Sequence, residues 1–262
     1  MSLLSFYFEK GEFVLKVKRV AKAKKSGTLV FQNKMNSILF PVNFTAFDYD
    51  IFFTICWYVK QQGYTDSRQF IEMPYSELTR FFDKSWNKTR VNEQIDLFAD
   101  KVLGRDGAAV YRSIIPNADG FYKSVGIFFI RIDTFRNKQI LKFKMSTDAL
   151  DVLFGVLKFM KIDLNKFVSI RGKFAKILYR LLLQYENIKA DRNGFKCVNF
   201  NRSDFENLMA VPSGYDATDL DRRVLTPSLS ELGETYFEKI LFEPVYSAGS
   251  KKIQGYSFKF LC

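Results

Sequence analysis

Ile71-Glu72-Met73-Pro74-Tyr75-Ser76-Glu77-Leu78 and Val198-Asn199-Phe200-Asn201-Arg202-Ser203-Asp204-Phe205 carry one pattern at two places in the chain. In each, four residues alternate in the period of a half-buried strand, and the next four open a helix with polar residues ahead of an apolar one. Outward from both copies the same order of elements recurs: a long apolar-striped helix, the strand and short helix, a second helix, and two alternating strands. The first set runs from about Ala46 to Arg131 and the second from about Ile170 to Phe260. That order is a helix-turn-helix carrying a β-ribbon wing, which places a helix in a DNA groove. The predicted fold is α+β: two tandem winged-helix (helix-turn-helix plus β-wing) domains, residues 40–162 and 163–262, behind a short N-terminal β-ribbon arm, residues 1–39.

In the first set, Ala46 to Gln62 places Phe47, Ile51, Ile55 and Tyr58 at helical steps, a buried stripe. Phe70 to Met73 is the strand and Tyr75 to Phe82 the first helix of the turn motif. Ser85 caps the next helix, whose apolar face is Val91, Ile95, Phe98 and Val102. Ala109 to Ile115 and Val125 to Arg131 alternate as strands about the turn Pro116-Asn117-Ala118-Asp119-Gly120 and are predicted to form the wing. A strand from Ile140 to Met145 and a helix from Thr147 to Met160 lead to a junction at Lys161-Ile162-Asp163-Leu164-Asn165. In the second set Phe174, Ile177, Leu178, Leu181, Leu182 and Tyr185 form the stripe of the long helix. Strand Lys196 to Phe200, helix Arg202 to Met209, a turn at Ser213-Gly214, helix Thr218 to about Leu232, and strands Tyr236 to Tyr246 and Ile253 to Phe260 follow. Pro227 removes one backbone hydrogen bond inside the last helix and should kink it. Ahead of both sets, Phe6, Phe8, Phe13, Leu15 and Val17 alternate about Gly11 as a ribbon. The basic run Lys16 to Lys25 beyond it suits a phosphate-contacting arm and a lysine-defended strand edge equally.

Forty Lys and Arg against 28 Asp and Glu leave a net charge of +12, a field that attracts polyanions. Nucleic acid fits best, with an anionic membrane surface as the competitor. No apolar run approaches the roughly 18 residues a spanning helix needs. The start, Met1 to Phe8, has no basic lead and is broken by Glu9-Lys10, a poor signal peptide. Cys56, Cys197 and Cys262, an odd number without metal-ligand spacing, suit reduced thiols in a cytosol, with no metal and no cofactor expected. The absence of histidine removes Ser-His-Asp and Cys-His nucleophiles and His-ligated metal hydrolysis. Asp48, Asp50, Glu72 and Asp83 form no diagnostic cluster and none of the 13 tyrosines is marked as a nucleophile, so no catalytic residues are expected.

The chemistry-bearing residues are therefore cations. On the helix from Thr218 to Leu232, Leu220, Val224, Leu225, Leu229 and Leu232 point one way and Asp219, Arg222, Arg223, Thr226 and Ser230 the other. Arginine is shaped to reach guanine O6 and N7 in the major groove, and Asp or Thr beside it can accept from cytosine or hold the guanidinium. Arg223 is the leading base reader; an ordinary solvated face with an Asp219 to Arg223 pair is the alternative. In the preceding long helix Lys173, Lys176 and Arg180 share a stripe opposite the apolar face, and with Arg171 they are expected on phosphate. Lys251 and Lys252 occupy the tip of the second wing. In the first set, Trp86, Lys88, Thr89 and Arg90 cluster at a helix start, but the exposed continuation is Glu93, Asp96 and Asp100, so this module should contact less DNA.

Arg171-Gly172-Lys173-Phe174-Ala175-Lys176-Ile177-Leu178-Tyr179-Arg180-Leu181-Leu182, followed by Arg222-Arg223-Val224-Leu225-Thr226-Pro227-Ser228-Leu229-Ser230-Glu231-Leu232, resembles the second winged-helix domain of iteron-binding plasmid replication initiators, the theta-type Rep proteins. Asn33-Lys34-Met35-Asn36 through Phe82 looks like the start of their first domain, so the likeness covers about Asn33 to Phe260. It implies a non-catalytic protein that binds double-stranded origin repeats, opens AT-rich DNA, recruits a host initiator and the replicative helicase, and represses its own promoter as a homodimer joined through the first domain. The matching contacts are Arg171, Lys173 and Lys176 on phosphate and Arg222 and Arg223 at the groove. Gly172 departs from the larger residue of that pattern, and Gly233-Glu234 stands where an Ile-Asn-like pair is usual. A winged-helix transcriptional regulator without an initiation role is the other reading.

Overall fold

In a computed structural model, residues 3–9, 12–18, 27–82, 87–103, 110–117, 120–155, 159–250 and 252–261 are described. β1 (Leu3–Glu9) and β2 (Glu12–Lys18) pair as an antiparallel ribbon, as their alternation about Gly11 predicts. β3 (Thr28–Gln32), a 3-10 turn (Asn33–Ser37) and β4 (Ile38–Leu39) precede α1 (Ala46–Gln62). β5 (Ile71–Pro74), α2 (Tyr75–Leu78) and α3 (Lys88–Leu103) follow, then β6 (Val110–Asn117), β7 (Gly120–Ile127), β8 (Phe129–Phe135) and β9 (Ile140–Met145). α4 (Thr147–Phe154), β10 (Phe159–Asp163) and α5 (Leu164–Ser169) lead to the second half. There, α6 (Lys173–Leu183), β11 (Lys196–Asn201), α7 (Arg202–Leu208), α8 (Ala217–Leu220), a π-helical turn (Asp221–Leu225), α9 (Thr226–Thr235), β12 (Lys239–Tyr246) and β13 (Ile253–Leu261) complete the described chain.

The repeated stretch folds in register. α2 begins at Tyr75 and α7 at the matching Arg202, each directly after its strand. Ile71 and Val198 are buried where Glu72 and Asn199 are exposed, and Leu78 and Phe205 are both wholly buried. Each strand then pairs with the last strand of its own set, giving the sheets β5-β9-β8 and β11-β13-β12.

That pairing corrects the first wing. The sheet homologous to β11-β13-β12 uses β8 and β9, joined by a turn at 136–139, not the hairpin about residues 116–120. That hairpin is β6 and β7, whose ladder runs from Val110↔Ile127 to Asn117↔Gly120 and attaches to β4 in a separate sheet. Two further expectations shift. The helix from Thr147 stops at Phe154, and Phe159–Asp163 is a strand on β3, register Met160↔Phe31 and Ile162↔Leu29. Leu29, Phe31, Met35 and Ile38 are accordingly buried core residues, so the segment 28–39 is no free arm.

α1 is the axis of the molecule. It starts on a capping box in which Asp48 N donates to Thr45 Oγ1 at 3.3 Å and Thr45 N to Asp48 Oδ2 at 2.6 Å. It ends at Gly63, whose φ of 70° closes the helix in the left-handed conformation that glycine adopts without strain. From Asp48 to Val59 every residue is buried, which marks a helix surrounded by other elements rather than one with a single apolar stripe. β3, α2, α3, α5 and α6 cover it, and α6 packs in turn against α9, so one continuous core runs through both sets of elements. Burying each Leu-, Phe- or Ile-sized side chain here contributes about 1.5–3 kcal/mol over leaving it exposed.

Candidate nucleic-acid interface

The second helix-turn-helix is built by its caps. Asn201 Oδ1 accepts from Asp204 N at 2.8 Å to start α7, and Asp216 Oδ1 accepts from Asp219 N at 2.8 Å to start α8. Leu220, Val224, Leu225 and Leu232 are buried, which turns Arg222, Arg223, Thr226 and Ser230 to solvent. The Arg223 side chain is 51% exposed, but it is not loose. Its Nε lies 2.9 Å from Asp219 Oδ1 and its guanidinium 5.3 Å from the centre of the Tyr215 ring. The hydrogen bond to Tyr215 and the charge of Asp219 hold it more firmly protonated than usual. Arg222 shares the same carboxylate oxygen at 3.3 Å, and Thr226 Oγ1 donates to Asp221 Oδ1 at 3.2 Å. One carboxylate thus aims two arginines outward, a geometry suited to guanine edges or adjacent phosphates. Tyr215, in the loop before α8, is a member of this cluster that helical spacing does not reveal.

Pro227 acts as predicted, with a different result. Having no N–H, it cannot donate back to Arg223, and the backbone ahead of it widens into the π turn, where Thr226 N donates to Asp221 O. The segment expected as one kinked helix is α8, the π turn and α9. Ser228 Oγ donates to Val224 O at 2.5 Å and occupies a carbonyl beside the break.

The stripe on α6 is corrected more sharply. Lys176 and Arg180 are each only 1% exposed and cannot reach a phosphate, because α1 of the first half packs over them. Lys176 Nζ lies 2.6 Å from Asp50 Oδ1 and 2.6 Å from Phe167 O. Burial lowers the lysine pKa and raises that of Asp50 to about 7, while each partner pulls the other back toward its charged form. Arg180 Nη1 donates to Met35 O at 3.1 Å, and its guanidinium stacks over Phe40 and Phe53 at 5.2 and 5.9 Å. Burial lowers its pKa to about 10, which leaves it charged at neutral pH. Lys173 is half-buried and donates to Val42 O at 2.6 Å. Of the four cations, Arg171 alone keeps an exposed side chain. Its backbone N, with that of Gly172, donates to the Glu231 carboxylate at 2.5 and 3.0 Å. A Cβ at 172 would stand 2.8 Å from Glu231 Oε2, so a larger residue there would require that carboxylate to shift.

In the first half Lys88, Thr89 and Arg90 are exposed on the first turn of α3, where Arg90 N donates to Asn87 Oδ1 at 2.8 Å. The expected cap Ser85 and its neighbour Trp86 lie outside the described residues. Of the acidic continuation, Asp96 is neutralised by Arg136, whose Nε lies 2.6 Å from its Oδ2, and beside this pair Gln139 Nε2 donates to Asn92 Oδ1 at 2.9 Å. These bonds tie the β8-β9 turn onto α3. In the second wing Lys252 is exposed on a turn closed by Ser247 N donating to Lys252 O at 2.9 Å, while Lys251 lies outside the described residues. Among the described residues no cluster of three His, Cys, Asp or Glu side chains could hold a metal ion, and no helix is long and apolar enough to cross a membrane.

The chain matches the family model described as Initiator Replication protein, WH1, over residues 28–183, and the one described as Initiator Rep protein, WH2, over residues 202–260. Among solved structures it is similar to the "Crystal structure of Pi initiator protein in complex with iteron DNA", with a TM-score of 0.63 and 11% identity, covering 91% of this chain and 98% of that one. At that identity the likeness is one of fold. No curated protein sequence matches the chain.

Proposed function

The chain belongs to the initiator replication protein family, with its WH1 and WH2 domains in tandem, and from that premise we propose that it binds tandem repeats in double-stranded origin DNA to initiate plasmid replication. The observation that carries this reading is the exposed Arg222 and Arg223 pair, oriented by Asp219 on the second helix-turn-helix. Arg223 reads a base edge, Arg222 and Thr226 support it, and Arg171, Lys251 and Lys252 meet phosphate. The first module adds Lys88, Thr89 and Arg90 at a single helix turn. The protein works in a bacterial cytoplasm without a cofactor, as a monomer on the repeats and as a homodimer through the first domain at its own promoter. A host initiator and the replicative helicase are its partners. The reading is non-catalytic: supercoiled origin DNA incubated with the protein and Mg²⁺ or Mn²⁺ is opened but not nicked.

Footprinting on the noncoding DNA beside the gene tests this. Protection of tandem repeats next to an AT-rich stretch supports initiation. Protection of a lone inverted repeat supports a transcriptional regulator instead.

A further inference from the structure

Tyr215 stands directly ahead of Asp216, the cap of α8, in the loop that joins the two helices of the second turn motif. The backbone of that loop is fixed by its own hydrogen bonds. Val211 N donates to Glu206 O at 3.0 Å and closes α7 through Ala210, at a φ of 50°, and Tyr215 N donates to Pro212 O at 3.0 Å. The ring that leaves this turn is half-buried and packs at the margin of the core. Tyr215 is therefore placed by the loop and the core, not by the arginines it meets.

Asp216 fixes the next member of the cluster. Its Oδ1 accepts from Asp219 N at 2.8 Å, which sets the first turn of α8 and with it the Asp219 carboxylate. That carboxylate meets both arginines, at 2.9 Å from Arg223 Nε and 3.3 Å from Arg222 Nη2, but the tyrosine ring stands beside Arg223. The Arg223 guanidinium lies 5.3 Å from the ring centre and also donates to the Tyr215 hydroxyl. The Arg223 side chain is accordingly 51% exposed where that of Arg222 is 68% exposed. An arginine beside a duplex meets phosphate more readily than a base, because most of the hydrogen bonds a duplex takes part in are on its backbone. Arg222 has the freedom to do so. A guanidinium pinned through Nε and held against a ring has less side-chain freedom to lose on binding, and it keeps the end of its fork, which suits guanine O6 and N7.

We propose that Tyr215 is a positioning residue for base recognition: it holds the Arg223 guanidinium toward a guanine edge and away from the phosphates, so that Arg223, rather than Arg222, reads sequence. This rests on the duplex-binding reading above. Tyr215 carries no charge and acts through Arg223 without touching the DNA itself.

The test uses the full chain and compares binding to the origin repeat with binding to the same duplex altered at the base pair that Arg223→Ala ceases to distinguish. Tyr215→Leu should narrow the difference between the two duplexes about tenfold, and Tyr215→Phe, which keeps the ring but not the hydroxyl, about threefold. Neither removes a charge, so the log-log salt slope should not move. In an Arg223→Ala background Tyr215→Leu should narrow nothing further, because the side chain it positions is gone. Tyr215→Phe preserves the packing and carries the test if Tyr215→Leu does not fold. Should Tyr215→Leu narrow the difference as much in the Arg223→Ala background as alone, the tyrosine is a base contact of its own and the proposal is overturned. Equal weakening of both duplexes would overturn it too, by making Tyr215 a support of the fold or of backbone contact. If Arg223→Ala loses discrimination at one base pair and neither Tyr215 variant does, the role of Tyr215 alone fails. If Arg223→Ala leaves every base pair discriminated as before, the reading of Arg223 as a base contact fails first, and Tyr215 with it.

Discussion

Arg223 and Lys176 look alike in the sequence, each a cation opposite an apolar stripe, and the fold gives them opposite tasks. Arg223→Ala should cost about 1–3 kcal/mol on the cognate repeat and relax preference at one base pair. Arg90→Ala, at the one exposed cationic turn of α3, should cost less on the same DNA. Binding-site selection that found Arg90→Ala losing more sequence preference than Arg223→Ala would reverse the assignment of the main reader. Lys176→Met should act on stability: it strands the Asp50 carboxyl in the core, a loss of about 3–5 kcal/mol at neutral pH, and adding Asp50→Asn should restore much of it. The pH dependence has a definite sign. Asp50 titrates near 7 when folded, by burial, and near 3.9 in an unfolded chain, so the native state holds its proton longer. Its contribution to stability therefore falls as pH rises from about 4 to about 7, opposite to a salt-bridged surface carboxylate. Urea unfolding across that range should show a flatter pH profile for Asp50→Asn than for the unaltered chain; an unchanged profile would place the titration elsewhere. The difference between the two cations was not legible because the partner of Lys176 lies 126 positions away, and a helix face does not announce whether water or a carboxylate will meet it.

At the level of elements, what could be read was what is local. The handover from period 2 to a polar helix start located the first residues of α2 and α7 where they fall, and β5 and β11 to within one residue, since alternation and capping both act within a few positions; α2 stops four residues short of the expected Phe82. Alternation also found β6 and β9, whereas the single strand expected from Val125 to Arg131 runs across the end of β7 and the start of β8; pairing is non-local, and only the ladder Ile71↔Phe143 shows that the first wing is β8 and β9. The tie between Arg136 and Asp96 was hidden for the same reason. Pro227 sits between these cases: the lost hydrogen bond is legible, whereas the π turn that accommodates it depends on Leu225 and Val224 staying buried. Pro227→Ala should let this turn relax to ordinary α-helix and rotate Arg222 and Arg223 relative to α9. Because the proline stands near the start of α9, stability should change by less than about 1 kcal/mol, while preference for the repeat falls. Thermal unfolding together with site selection would check both halves of this expectation, and retained selectivity would show that the π turn is incidental to reading.

The whole molecule is less divisible than two written copies suggest. Domain boundaries placed from sequence treat the modules as separable, yet α1 is covered by α6, and Asn36 Nδ2 donates to Gln184 Oε1 at 2.6 Å beside the buried Arg180. Calorimetry should accordingly show one cooperative transition rather than two; two well-separated peaks would mean that the shared core contributes little. Binding should weaken steeply with salt, by about 0.9 in log-log slope per phosphate contact, with Lys176 and Arg180 adding nothing. The two helix-turn-helix units are copies of one plan, but one carries paired arginines on its reading helix and the other an ion pair that fastens its wing. A homodimer presents two identical readers about a twofold axis and has no front or back. Unlike readers in one chain make an arrow, and arrows laid on direct repeats all point the same way, so a row of them would lend the origin a direction before any other protein arrives.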